Sequence, residues 1–174
     1  MNEAAKKNLM FISSDDFYLI TYSTIIILDC LGCTKEREFK DYRKIPFIIE
    51  LINNKRNIAI LEATPLEKLH KSDRDYLFQS YTNGLAKRSE TLKILFTLEK
   101  KGYISLQQGS IDPLVNITLK KENLPKDFLS KKIFDTEYQN CQKFKKIIQR
   151  STTLTLDTFL SKTYRDRGVK IWEV

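Results

Sequence analysis

The stretch NGLAKRSETLKILFTLEKKGYISL, residues 83–106, contains the pattern that decides the fold. Asn83 and Gly84 tolerate the left-handed backbone of a turn, and apolar residues then recur at helical spacing as far as Gly102. After Gly102, apolar and polar side chains alternate as they do in a strand. The stretch therefore predicts a turn, an amphipathic helix over residues 85–101 and the first strand of a hairpin.

This helix has two sides of different character. Leu92, Leu95, Phe96 and Glu99 lie along one side, and we predict that its apolar members, Leu92, Leu95 and Phe96, are buried. Beyond it, GSIDP contains turn residues and LVNITLK again alternates, which predicts the tip and second strand of the hairpin. A helix before the quoted stretch, in SDRDYLFQSYT, completes the order helix, helix, wing. We therefore predict a mainly α fold with a small β-hairpin wing, a winged helix-turn-helix.

The N-terminal part predicts further helices. DDFYLITYSTIIILDCLG, from Asp15, is apolar enough for a buried core helix but too short for the roughly 20 apolar residues of a membrane span. A second helical pattern, KEREFKDYRKIPFIIELINN, is kinked or begins afresh at Pro46. NIAIL, residues 57–61, reads as a short strand or extended link. Gly32 is the expected stop between the first two helices.

The C-terminal part also predicts helices. Asp135 is a candidate cap for one helix with Tyr138, Cys141, Lys145 and Ile148 near one stripe. A last helix follows RSTT and buries its apolar side chains, which are Leu156, Phe159, Leu160 and Tyr164. The terminal VKIWEV is a candidate edge strand.

Composition excludes some classes of protein. The chain has 174 residues, 41% of them hydrophobic, which is enough to close a core. A formal net charge of +8 suits nucleic acid, an acidic partner or an acidic membrane surface, and does not choose among them. No secretory signal is visible, so we expect a cytoplasmic protein without a membrane partner.

Cysteine and histidine residues offer little chemistry. Cys30 and Cys33 have the spacing of a zinc-binding pair, and Cys141 with His70 would complete four ligands by count. Because a second paired cluster is missing, we predict that these cysteines are reduced packing residues. No glycine-rich phosphate loop or paired catalytic group is visible, so we predict no catalytic residue, no bound metal and no cofactor.

The basic residues around the quoted helix are candidates for nucleic-acid binding. They are Lys87, Arg88, Lys93, Lys100 and Lys101. The outward side lacks the Asn or Gln that reads bases, so we expect contact with the DNA backbone without sequence preference. A second stretch, 120–150, has nine Lys or Arg and four Asp or Glu, a net of +5, and is interpreted first as a solvated helix face and second as a phosphate track.

The order FYLITYSTIIILDCLG, FKDYRKIPFIIELI and SDRDYLFQSYTNGLAKRSETLKILFTLEKKGYISL resembles a known family. It is similar to the small middle component of bacterial ABC three-component systems of the Lamassu type. That component accompanies an SMC-like ATPase and an effector such as a nuclease in defence against phage and plasmids. The resemblance covers most of residues 15–119.

The resemblance implies a non-catalytic winged-helix accessory subunit that binds the ATPase and touches the DNA backbone, with the effector subunit as a further partner. From the predicted elements we expect a helical unit at 1–62, a winged-helix unit at 63–122 and a helical extension at 123–174 packed on the same core. Residues 1–62 are alternatively a degenerate first unit of a tandem winged-helix arrangement. The main rival is a free-standing winged-helix transcription regulator.

Overall fold

The fold is taken from a computed structural model, which describes residues 3–63, 69–111, 114–129 and 131–172, with side chains from Phe17 in the first helix and from Phe134 in the sixth. The helices are α1 (Glu3–Cys30), α2 (Ile45–Ile52), α3 (Lys55–Glu62), α4 (Lys71–Ala86), α5 (Arg88–Lys100), α6 (Lys131–Ile147) and α7 (Leu156–Thr163). The strands are β1 (Ile104–Gln108) and β2 (Val115–Leu119), and 3-10 helices cover Tyr42–Lys44, Lys121–Asn123 and Arg165–Arg167. The described chain is mainly helical with one two-stranded antiparallel sheet, as predicted.

α2 forms the centre of the core because all but one of its residues are apolar. Seven of its eight residues are buried, and Glu50 is the one that is partly exposed. α2 packs against α1, α3, α4, α5 and α6. Pro46 lies in its first turn, where a missing N–H leaves no helical bond unmade. The predicted fresh start at Pro46 is therefore confirmed.

α1 begins at Glu3, well before the predicted start at Asp15. It ends as predicted, because Gly32 has a left-handed φ of 70° and allows the chain to reverse. The Cys33 N–H then donates to the Leu28 carbonyl oxygen at 2.8 Å, which closes the helix end.

The predicted strand NIAIL is wrong, because these residues lie in α3. The Asn54 side chain caps this helix by accepting a hydrogen bond from the Arg56 N–H at 2.9 Å. Ile58 and Leu61, three residues apart, are buried on one side of the helix. A short apolar run does not distinguish a strand from a buried helix, and the cap decides it here.

The predicted turn at Asn83 and Gly84 is also wrong, because α4 continues through both residues to Ala86. Gly84 is needed for close packing instead of for a turn. A Cβ atom on Gly84 would lie 2.5 Å from Cδ1 of Phe47, so only glycine lets α4 approach α2 this closely. Tyr81, one turn earlier, stacks on the same Phe47 ring with 5.8 Å between ring centroids.

The predicted hairpin is confirmed, with Ile104 opposite Leu119 and Gln108 opposite Val115. The apolar members of both strands share the face that covers the core. β2 also pairs on its other side with Phe39, which exchanges two hydrogen bonds with Ile117 in an isolated bridge. The segment around Phe39 is therefore extended, where the sequence suggested a helix.

In the C-terminal part, the two predicted helices are present, but the predicted terminal strand is not. α6 has a non-helical residue, Phe134, just before the expected cap at Asp135. α7 starts after Thr155, whose hydroxyl accepts a hydrogen bond from the Thr158 N–H. Residues 169–172 form no strand, so the predicted edge strand is wrong over the part that the structure describes. Instead, the Trp172 carbonyl oxygen accepts a hydrogen bond from the Tyr81 hydroxyl at 2.9 Å.

A buried lysine holds the C-terminal part on the core. Lys44 is 0% exposed, and its ammonium donates to the carbonyl oxygens of Ser151 at 2.7 Å, Thr152 at 3.3 Å and Leu154 at 2.7 Å. It also lies 4.8 Å from the centre of the Phe39 ring. Burial lowers the pKa of the Lys44 ammonium to about 8. Three donors meet three acceptors, so the charge is solvated by backbone dipoles instead of by water.

Replacing Lys44 by Met should lower the free energy of unfolding by about 2–4 kcal/mol, because buried carbonyl groups lose their donor while the side-chain length is kept. Urea unfolding followed by circular dichroism measures the change. Lys40→Met, at a nearby exposed position, is the matched control and should change stability by less than about 0.5 kcal/mol. Equal stability of Lys44→Met and the wild type would contradict a structural role for the ammonium.

Candidate functional site

The second helix of the predicted helix-turn-helix is held tightly by its neighbours. One residue, Lys87, links α4 to α5. The buried side chains of α5 are Thr91, Ile94, Leu95 and Leu98, spaced at three and four residues. Gly102, with a φ of 79°, ends the helix as predicted. This packing fixes which side of α5 faces outward.

Phe96 is on the outward side, so its predicted burial is wrong. Its side chain is 54% exposed, whereas its neighbour Leu95 is 0% exposed. Two adjacent helical residues point about 100° apart, so burying Leu95 together with Ile94 and Leu98 turns Phe96 outward. The predicted inward set is therefore only partly correct, since Leu95 is buried and Leu92 and Glu99 are half-buried.

The predicted basic residues divide into two groups. Lys93, Lys100 and Lys101 are exposed, and Arg88 is half-buried. Lys87 instead turns toward the core and forms a 2.8 Å ion pair with Glu50. Its charge is matched within the chain, so the outward side of α5 carries fewer free cations than the sequence suggested.

The outward side of α5 presents one exposed aromatic residue with a lysine before it and a lysine after it. Phe96 follows Lys93 by three residues and precedes Lys100 by four, so the three side chains form one stripe. We call this stripe the α5 face. α5 contains no Asn or Gln, the side chains that best read adenine in the major groove. The α5 face therefore suits an apolar contact with acidic surroundings better than a base edge.

The hairpin is attached rigidly to α5. The Glu99 carboxylate accepts a hydrogen bond from the Leu106 N–H at 2.8 Å, and the Asn123 side chain donates to the Gly102 carbonyl oxygen at 2.7 Å. The Leu106 N–H points away from β2, since Leu106 lies opposite Ile117, whose own backbone bonds go to Phe39. Glu99 thus satisfies a donor on the open edge of β1.

The basic stretch 120–150 is partly bound to the chain itself. Lys121 pairs with Asp29 at 2.8 Å, and Lys143 pairs with Glu62 at 3.5 Å. Lys145 donates to a backbone carbonyl oxygen at 3.2 Å. These contacts favour the interpretation as an ordinary helix face over a phosphate track.

The four candidate zinc ligands do not meet at one site, because His70 lies apart from the cysteines. Cys33 and Cys141 are buried and Cys30 is half-buried, whereas His70 is exposed just before α4. Within the described residues, no group of three or more His, Cys, Asp or Glu side chains is placed to hold a metal ion. Burial raises the pKa of the Cys33 thiol to about 12, as expected of a thiol packed in the core.

A cleft that the sequence did not indicate lies between the hairpin tip and the C-terminal part. It encloses about 890 Å³, and Ile111 and Trp172 are exposed on its rim. Asp41, in its wall, has a positive φ of 65° and pairs with Arg43 at 2.7 Å. The position of Asp41 depends on residues distant in the chain, because Asn116 accepts a hydrogen bond from its N–H at 3.2 Å. A local sequence pattern therefore gives no signal for this cleft.

Comparisons with protein-family models, with curated proteins and with solved structures found no match. None of the helices in the described ranges is long and apolar enough to cross a membrane.

The neighbouring residues Leu95 and Phe96 should respond differently to truncation. Leu95→Ala should lower the free energy of unfolding by about 2–5 kcal/mol, because it leaves a cavity under the hairpin. Phe96→Ala should cost less than about 1 kcal/mol, because Phe96 is already 54% exposed to water. Urea unfolding of the two variants measures both values. Similar losses for both would mean that the outward orientation of Phe96 is wrong.

Proposed function

We propose that this chain is a non-catalytic accessory subunit that binds an SMC-like ATPase through the α5 face. The observation that carries the proposal is the exposed ring of Phe96 at the middle of the helix that a winged-helix DNA reader would insert into the major groove. Aromatic residues surrounded by a polar rim are typical anchors of protein–protein interfaces.

Charge specifies the chemistry of the partner. Lys93 and Lys100 flank the ring, and Lys101 follows on an exposed position. The whole chain carries a net charge of +8. A complementary surface would offer an apolar pocket for Phe96 and acidic side chains around it. A coiled-coil segment with Glu and Asp beside its apolar seam has this chemistry.

The sequence resemblance supplies the identity of the proposed partner. Residues 15–119 resemble the middle component of Lamassu-type systems, which accompanies an SMC-like ATPase and an effector. The order α4, α5, β1 and β2 supports the winged-helix interpretation, and the buried α2 supports a rigid helical body behind it. The proposed role is in defence against phage or plasmids, in the cytoplasm.

A free-standing transcription regulator is the second candidate. It is favoured by Lys93 and Lys100, two exposed cations on the second helix of a helix-turn-helix arrangement. Against it, α5 has no Asn or Gln and presents a phenylalanine instead. We therefore propose that any DNA contact is with the phosphate backbone and is independent of sequence.

If the α5 face binds an SMC-like ATPase, a substitution in this face should reduce the amount of ATPase that copurifies with the chain. The tagged full chain, expressed in its native host, should retain a protein with SMC architecture, identified by mass spectrometry. Phe96→Glu should reduce its recovery about 10-fold or more, because a charge replaces an apolar anchor beside an acidic surface. Gln142→Glu, an equally acidic change at an exposed position of α6, is the control and should capture normally. Absence of an SMC-like protein from the wild-type capture, or its full recovery with Phe96→Glu, would refute the proposal.

If the chain contacts only the phosphate backbone, removing cations from α5 should weaken its binding to all DNA sequences equally. Reversing the charge of Lys93 and Lys100 to Glu should weaken binding to random duplexes as much as to any selected sequence. It should also reduce the slope of log affinity against log salt by about 0.9 for each phosphate that the protein no longer neutralises. Lys55→Glu with Lys170→Glu, two exposed lysines outside α5, gives the same change in net charge as a control. Binding one sequence about 10³-fold more tightly than random DNA at physiological salt would favour the regulator instead.

A further inference from the structure

The end of α1 and the middle of α6 bring two cysteine side chains together. The Tyr138 hydroxyl donates to the Asp29 carboxylate at 2.6 Å, and the Lys145 ammonium donates to the Cys30 carbonyl oxygen at 3.2 Å. Cys141 lies three residues after Tyr138 and four before Lys145, so it shares their face of α6. These two contacts hold Cys141 opposite Cys30.

The packing of α6 against α1 places the two thiols in different environments. Hydrogen bonding with the Cys141 thiol lowers the pKa of Cys30, and the charge of Lys145 lowers it further, whereas burial acts in the opposite direction. The same hydrogen bond, together with burial, raises the pKa of Cys141. Cys30 is half-buried and Cys141 is 0% exposed. Cys30 is therefore the thiol that a small oxidant can reach and the one with more thiolate character.

We propose that Cys30 is a peroxide-oxidation site and that Cys141 is its resolving thiol, so that oxidation links α1 to α6 through a Cys30–Cys141 disulfide. This inference does not depend on the proposed partner.

The chemistry needs hydrogen peroxide as the oxidant. The Cys30 thiolate attacks one peroxide oxygen, the O–O bond breaks, and the departing hydroxide takes a proton to become water. Cys30 is then a sulfenic acid. The Cys141 sulfur attacks the Cys30 sulfur, the S–O bond breaks, and a second water leaves with the Cys141 proton. Together the two thiols lose two electrons and two protons, and one peroxide becomes two waters.

The structure argues against the alternative pair Cys30 and Cys33. Cys33 is 0% exposed, and its pKa is raised to about 12 by burial. Its backbone N–H is tied to the Leu28 carbonyl oxygen in the turn that ends α1. The Cys-x-x-Cys spacing in the sequence therefore suggests a pair different from Cys30 and Cys141, which are distant in the chain and are brought together by the packing of α6 on α1.

The test oxidises the 174-residue chain with a small excess of hydrogen peroxide and maps its peptides by mass spectrometry without reduction. We expect one intramolecular Cys30–Cys141 peptide pair, the loss of two free thiols and the recovery of both with dithiothreitol. Before oxidation, iodoacetamide should label Cys30 faster than Cys33 or Cys141. The oxidised protein should melt at a higher temperature, since the crosslink restricts the unfolded chain.

Variants separate the proposed pair from general thiol oxidation. Cys33→Ala should form the disulfide as the wild type does, whereas Cys30→Ala should leave Cys141 reduced. Cys141→Ala should stop oxidation at a sulfenic or sulfinic acid on Cys30. If Cys141→Ala does not fold, because Cys141 is fully buried, the half-buried Cys30→Ala and the peptide map of the wild type still decide the question. A Cys30–Cys33 disulfide, or Cys30 oxidised to sulfinic acid in the wild type while Cys141 stays a free thiol, would overturn the proposal.

Discussion

The ammonium of Lys44 holds together parts of the chain that are distant in sequence. It connects the start of α2 to the carbonyl groups of residues 151–154, more than a hundred positions later. Two residues with positive φ, Asp41 and Arg150, lie at the two sides of this contact. Such backbone conformations are costly for non-glycine residues and persist only where the surroundings determine them. The Lys44 contact is therefore the constraint that fixes the C-terminal part against the core.

The position of α2, which begins directly after Lys44, also determines the orientation of the proposed binding surface. Gly84 has no side chain, and α4 can therefore lie directly against the ring of Phe47 in α2. Because only Lys87 separates α4 from α5, the direction of α5 follows from that of α4. The orientation of α5 then buries Leu95 and exposes Phe96. The α5 face is thus a consequence of core packing and not of local helix preference.

The elements that sequence alone predicts well are those with local causes. Gly32 and Gly102 end helices through their own backbone freedom, and the hairpin strands alternate on a two-residue period. The errors occurred where a distant contact decides the outcome. Gly84 was predicted to form a turn, but it is needed for the contact with Phe47. Phe96 was predicted to be buried, but the packing of α5 exposes it. The burial of Lys44 could not be predicted, because its three acceptors come from another part of the chain.

Net charge was a poor guide to the candidate site for the same reason. Asp29, at the end of α1, accepts hydrogen bonds from both Lys121 and Tyr138, and Lys87 is paired with Glu50. Lys87 and Lys121, which look free in the sequence, are therefore paired within the fold. Lys93 stays exposed beside an aromatic ring on the α5 face. A few exposed cations around an apolar anchor favour recognition of a shaped protein surface, whereas tracking a phosphate backbone needs a continuous row of free charges. The choice between these functions thus depends on exposure, which tertiary packing decides and composition does not.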